Sequence, residues 1–156
     1  MAYVITDSTP LADGFFMPGE YGPQAMVWMI WPERTDTWRL NAVPAQEAYA
    51  RVAEAISRFT PVTMLSSANQ YARCRKALSG EIRVLEMSSD DAWCRDSGPS
   101  FLIDRKGHIR AADWTFNAWG GEVDGLYGSW EKDDQIAGKI CEIEGIDRYR
   151  TEGFVL

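Results

Sequence analysis

Ala25-Met26-Val27-Trp28-Met29-Ile30-Trp31-Pro32 is the run on which the fold turns. It is short, shows no 3.6-residue period and stops at a proline, which predicts a buried strand over Met26–Trp31. Downstream, Pro44 suits a first helical position. Ala45, Ala48, Tyr49, Val52, Ala53, Ile56 and Phe59 then recur at helical spacing, predicting an amphipathic helix with that face buried. Val62-Thr63-Met64-Leu65 reads as a second strand, Ser67 as the cap of a helix running through Tyr71 and Cys74 to Leu78, and Ile82–Met87 as a third strand. Strand, helix, strand, helix, strand is the order of an α/β protein.

The flanks are less regular. Residues 7–24 carry Pro10, Pro18, Pro23, Gly14, Gly19 and Gly22, a density that excludes helix and strand alike. After a polar loop from Ser88 to Pro99, Phe101-Leu102-Ile103 and Ile109-Arg110-Ala111 bracket a hairpin turn that puts His108 on the surface. A helix begins at Asp133 or Asp134, with Ile136, Ala137, Ile140, Cys141 and Glu144 on one face and Gly145 as its stop. Phe154-Val155-Leu156 reads as strand. No repeat is visible by identity, although two rough α/β units can be drawn.

Composition narrows the function classes. The 156 residues hold 16 Lys+Arg against 23 Asp+Glu, a formal charge of −7, and no basic block. That balance argues against sequence-independent binding of DNA or RNA, which depends on cations neutralising phosphates, so no nucleic-acid partner is expected. No apolar stretch approaches the roughly 20 residues of a membrane span, and the N-terminus lacks a secretory signal, so the cytoplasm is the expected location. Cys74, Cys94 and Cys141 fit neither a disulfide framework nor a metal spacing, and His108 is the single histidine.

Chemistry concentrates in Ser88–Pro99, which follows a predicted strand, where α/β folds place ligand sites. Asp91 and Asp96 are carboxylates of the kind that recognise a planar guanidinium through paired hydrogen bonds, and Trp93 can pack on an alkyl chain or a cation. The same residues also suit a purely structural reading, with both aspartates capping turns and pairing with Arg95 while Trp93 fills the core. Cys94 is a poor nucleophile candidate: alternation along an extended segment sets it opposite Trp93, and no His serves as its base. Cys74 and Cys141 fall on apolar helix faces and read as core. Trp114-Thr115-Phe116-Asn117-Ala118-Trp119-Gly120-Gly121 divides likewise: Trp114 and Phe116 alternate as core residues would, while Trp119 suits either core or a pocket wall.

The strings Asp91-Ala92-Trp93-Cys94-Arg95-Asp96-Ser97-Gly98-Pro99 and Trp114–Gly121 resemble the agmatine deiminase family, relatives of bacterial-type peptidylarginine deiminases. Asp13-Gly14-Phe15, Met17-Pro18-Gly19-Glu20, Val27–Pro32 and Arg34 support the likeness, which covers essentially the whole chain. The resemblance implies the pentein architecture, a five-fold α/β propeller, of which residues 1–156 would form roughly the first two modules of one catalytic domain. It implies hydrolysis of agmatine to N-carbamoylputrescine and ammonia, in putrescine biosynthesis, with no metal or organic cofactor. A Cys thiolate attacks the guanidinium carbon and ammonia leaves; water activated by a His then hydrolyses the amidino-thioether. Carried over, Asp96 matches the guanidinium-binding carboxylate and Trp93 the aromatic on the alkyl chain. Asp91 shares the motif, with a role in shaping the loop or binding substrate, and Trp119 is a pocket-wall candidate.

The family's His-x-Asp pair and nucleophilic Cys come later than this chain reaches, and His108 does not stand in that context. The expectation is therefore an N-terminal fragment, inactive alone, of an enzyme whose homo-oligomeric assembly the sequence leaves open. Two alternatives remain: a non-catalytic module holding a cationic ligand in an acidic, Trp-lined pocket, and a deiminase of peptidylarginine or another guanidino compound.

Overall fold

The computed structural model describes residues 2–155, so Leu156 of the predicted final strand lies outside the described residues. The chain forms two compact units, one of Pro23–Cys94 and one of Met1–Gly22 with Arg95–Leu156. Both are mixed α/β.

In Pro23–Cys94, strands β2 (Val27–Ile30), β3 (Val62–Ser66) and β4 (Arg83–Glu86) form a parallel sheet in that order, joined by helices α1 (Val43–Ser57) and α2 (Ala68–Ala77). The predicted alternation is therefore present, but the fully buried strand is not the first one. All five residues of β3 are buried, because strands flank it on both edges, whereas β2 is an edge strand with Ile30 alone in the buried class. Met64 pairs with Met29 on one side and Val84 on the other. It packs with Trp31, Ala53, Cys74 and Ile82.

The inward face of α1 differs from the expected stripe. Gln46 and Ala53 are buried, and Ala50 and Ile56 pack on the core, while Val52 is 48% exposed and Phe59, beyond the helix end, 89%. Gln46 is tolerated inside because its Nε2 donates to the Pro32 carbonyl at 2.8 Å. Ser67 precedes α2 without capping it; its hydroxyl donates to Glu33 at 2.7 Å.

In the other unit, β1 (Val4–Ile5), β7 (Arg148–Val155), β6 (Ile109–Thr115) and β5 (Ser100–Ile103) lie in that order, with β5 antiparallel to β6 and the other pairs parallel. The hairpin is as expected, Ile103 facing Ile109, although β6 runs four residues further than the predicted segment. Strand β1 had no signal beyond two apolar residues. The lead-in is irregular but anchored: Asp13 accepts hydrogen bonds from the Ser8 hydroxyl at 2.6 Å, the Tyr149 hydroxyl at 2.8 Å and Arg110 at 2.5 Å, which hold its carboxyl below the usual range. Phe15 packs edge-on against Tyr149. Helix α5 (Ile136–Glu144) buries Ile136, Ala137, Ile140 and Cys141 and ends at Gly145, whose φ of 66° is the left-handed stop expected of it. Asp113 in β6 is buried and accepts from Arg148 at 2.9 Å and from Arg150 at 2.8 Å.

Two expected outcomes follow from burial and charge. Burial raises the Cys74 thiol to about 11 and the Cys141 thiol to about 12, so at pH 8 both resist iodoacetamide in the native chain and react once denatured, as read by mass spectrometry. At the hairpin, Asp104 accepts the Lys106 and His108 main-chain N–H groups and meets the His108 ring at 2.7 Å, which lowers its carboxyl to about 2. A lowered folded value stabilises above the unfolded value of about 3.9 and is lost as pH falls toward 2. Thermal melts between pH 2 and 5 should show that increment in the wild type and its loss in Asp104→Asn.

Candidate functional site

The predicted polar loop contains a one-turn helix, α3 (Cys94–Ser97), so the strand-like alternation between Trp93 and Cys94 does not hold. The boundary between the two units falls at Cys94 and Arg95, and the candidate residues are divided by it.

On the Pro23–Cys94 side, Asp91 is 3% exposed. Its Oδ1 accepts the Trp38 indole N–H at 2.6 Å and the Ala92 main-chain N–H at 2.8 Å, and its Oδ2 accepts the Trp93 indole N–H at 2.9 Å. Such donors are what a buried carboxylate requires. Trp38 and Trp93 stack, ring centres 5.4 Å apart, and Tyr49 meets Trp38 edge-on at 5.9 Å. Burial, then the charge of Asp91, raises the Tyr49 phenol. Arg34, quoted above for the family likeness, pairs with Asp36 at 2.7 Å and donates to the Asp90 carbonyl at 3.4 Å. Asp91 therefore holds Trp93 in place, and Trp93 remains partly exposed.

On the other side, Asp96 is half-buried and accepts the Trp119 indole N–H on Oδ1 at 3.2 Å; its Oδ2 has no hydrogen-bond partner among the described residues. Arg95 pairs with Glu20 of the lead-in, not with Asp91 or Asp96, so the surface-pairing reading of Arg95 is not what the structure shows. Trp119 is 38% exposed and stands edge-on to Phe116 and to Tyr127, whose hydroxyl donates to the buried Asp133 at 2.6 Å. Phe116 is core at 1% exposure, and Trp114 packs partly buried on a separate cluster around Tyr149. Ala118 and Trp119 both adopt left-handed backbone, φ 56° and 65°, a strained pair of the sort that aims a side chain at a functional site. Gly120 permits the turn: a Cβ there would lie 2.4 Å from the Asp124 backbone. Among the described residues no group of three or more His, Cys, Asp or Glu is placed to hold a metal ion.

A carboxylate with an open oxygen beside an exposed indole suits a planar cation. A model of the Porphyromonas-type peptidyl-arginine deiminase family matches residues 16–156. The chain belongs to that family. It is 61% identical over 150 residues to the agmatine deiminase of Stutzerimonas stutzeri, covering 96% of this chain and 41% of that protein. It is 60% identical over 150 residues to the agmatine deiminase of Pseudomonas fluorescens, again 96% and 41%. The solved agmatine deiminase of Enterococcus faecalis, at 59% identity, superposes with a TM-score of 0.98 over 99% of this chain and 42% of that one. The chain thus spans about two-fifths of the relatives it matches, and its mixed α/β fold is theirs.

Of the aromatic residues around Asp91, sequence reasoning did not single out Trp38, and it placed Tyr49 on the buried face of α1 without joining it to Asp91. Trp38 lies in a polar loop without periodicity, and the only signal was a bulky aromatic in a segment that had no evident core to fill. Gly120→Ala should destabilise the chain by about 1–3 kcal/mol, through a clash with fixed backbone, and should free the Trp119 indole from Asp96. Denaturant unfolding, together with the red-shifted emission of a more exposed Trp119, would show both.

Proposed function

We propose that this chain carries the guanidinium-binding portion of an agmatine deiminase, which hydrolyses agmatine to N-carbamoylputrescine and ammonia in putrescine biosynthesis. The observation that supports it most is the Asp96 carboxylate, held on one oxygen by Trp119 and open on the other, in a chain about 60% identical to agmatine deiminases. In this reading Asp96 accepts the guanidinium N–H groups, orients the carbon for attack and favours the charge that develops there. Trp93, fixed by Asp91, packs on the aminobutyl chain, and Trp119 forms a wall. The thiolate and the His-activated water belong to residues that family members carry in sequence this chain does not include. Residues 1–156 then act as the N-terminal part of one catalytic domain, two modules of a five-module propeller, and do not turn over agmatine alone. The reading needs no cofactor, sets the enzyme in the cytoplasm without nucleic-acid or membrane partners, and is compatible with a homo-oligomer of the longer enzyme. No helix among the described residues is long and apolar enough to cross a membrane.

Titrating the purified chain with agmatine while following tryptophan emission tests it. Saturable quenching is expected, weakened at least about 30-fold in Asp96→Ala, as for loss of a charge-assisted contact of roughly 2 kcal/mol or more. Absence of saturable binding in the wild type would overturn the assignment of Asp96 to substrate in this chain. Ammonia release at an ordinary enzymatic rate would overturn its inactivity. A peptidylarginine in place of agmatine should bind more weakly, and tighter binding of the peptide would exchange the substrate class.

A further inference from the structure

We infer that Trp38 is a positioning residue for the substrate-facing Trp93, an inference that rests on the agmatine reading for its functional meaning but not for its geometry. Two contacts hold the Trp93 ring, and a third ties their partners together. Its N–H donates to Asp91 Oδ2 at 2.9 Å, its face stacks on Trp38 at 5.4 Å with 29° between the planes, and Trp38 closes the arrangement by donating to Asp91 Oδ1 at 2.6 Å. One carboxylate thus clamps two indoles that also support each other through their faces. Without Trp38, a carboxylate at 3% exposure loses one of the donors that fix its orientation, and Trp93 loses the ring stacked on its face.

Trp38 is itself held from two further directions. Its main-chain N–H donates to the Arg34 carbonyl at 2.8 Å, and Tyr49 of α1 meets its ring edge-on. Arg34 in turn reaches the Asp90 carbonyl, so the segment Arg34–Trp38 fastens to the turn at Asp90 and Asp91 at two points. Trp93 takes its side-chain setting in part from a loop more than fifty positions upstream. A stacking wall for a flexible aminobutyl chain contributes most when its rotamer is already locked, since ordering it on binding costs affinity.

The test uses the 156-residue chain with Trp38→Phe, which keeps an aromatic face and deletes the N–H, and Trp28→Phe as a matched control. Trp28 is suitable because its indole N–H has no hydrogen-bond partner among the described residues. Indole 15N–1H spectra are read first. In Trp38→Phe the Trp93 indole signal should move and its solvent exchange should accelerate about tenfold or more, as expected from loosening a buried charge-assisted bond. In Trp28→Phe it should stay put. Agmatine titration is read second: Trp38→Phe should weaken binding about five- to tenfold with the unfolding midpoint of a folded chain retained. An unmoved Trp93 indole signal in folded Trp38→Phe overturns the inference whether or not agmatine binds. If Trp93 moves but agmatine affinity is unchanged in a wild-type chain that does bind, the positioning role for substrate is overturned. If the wild type binds no agmatine, the functional reading fails by itself, and the indole spectra still decide the clamp. Should Trp38→Phe fail to fold, Tyr49→Leu removes the edge contact on Trp38 and should loosen the Trp93 indole in the same direction; no change there counts against the clamp.

Discussion

A carboxylate taken out of water must be given donors by its own surroundings, and each unit of this chain is organised around one such group. Asp91 is surrounded by two indole N–H groups and a main-chain amide. Asp113 is gripped by Arg148 and Arg150, and Arg150 passes the constraint on to Asp134 at 2.9 Å. Asp134 accepts the Phe116 main-chain N–H at 2.8 Å, so the ionic network extends into the segment that carries Trp119. Buried ion pairs of this kind add little net stability, yet removing one partner strands the other, which is what makes the arrangement specific.

The two clamps have a common effect on aromatic residues. With an aspartate fixed in β6, the backbone entering the Ala118–Trp119 turn is fixed, and the strained left-handed pair there can persist because Phe116 and Tyr127 pack around it. With Asp91 fixed, Trp93 is held by its N–H and by a stacked neighbour. In both places the exposed part of an indole is presented by buried polar groups behind it.

Much of the frame was legible in the residues. Alternating periodicities announced the strands and helices of the parallel sheet, the hairpin at Gly107 followed from its turn residues, and Gly145 marked the end of α5. The errors are instructive. Apolar character alone promoted Met26–Trp31 to the buried strand, whereas burial depends on having neighbours on both edges, and β3 has them. The stripe on α1 was misplaced because Gln46, polar by type, is turned inward with its Nε2 donating to the Pro32 carbonyl, while Val52 and Phe59 were left outside. Ser67 had the right type for a cap, but its oxygen accepts no main-chain N–H of α2 and its hydroxyl is oriented toward Glu33.

By itself, the sequence determined the alternating α/β order, the absence of a basic surface, the core character of Cys74 and Cys141, and, through its motif strings, the family to which it belongs. Those properties are local or compositional, carried by residue type and spacing. Tertiary structure decided which carboxylate is occupied and which is open. Asp91 and Asp96 look alike in the motif, five positions apart, yet Asp91 spends both oxygens on Trp38, Trp93 and Ala92, and Asp96 keeps Oδ2 without a partner among the described residues. One of the Asp91 donors comes from Trp38, 53 positions away. No periodicity or spacing encodes a contact across that distance; it exists because the loop before α1 brings an indole to a buried carboxylate, adding to the donors that Ala92 and Trp93 supply locally.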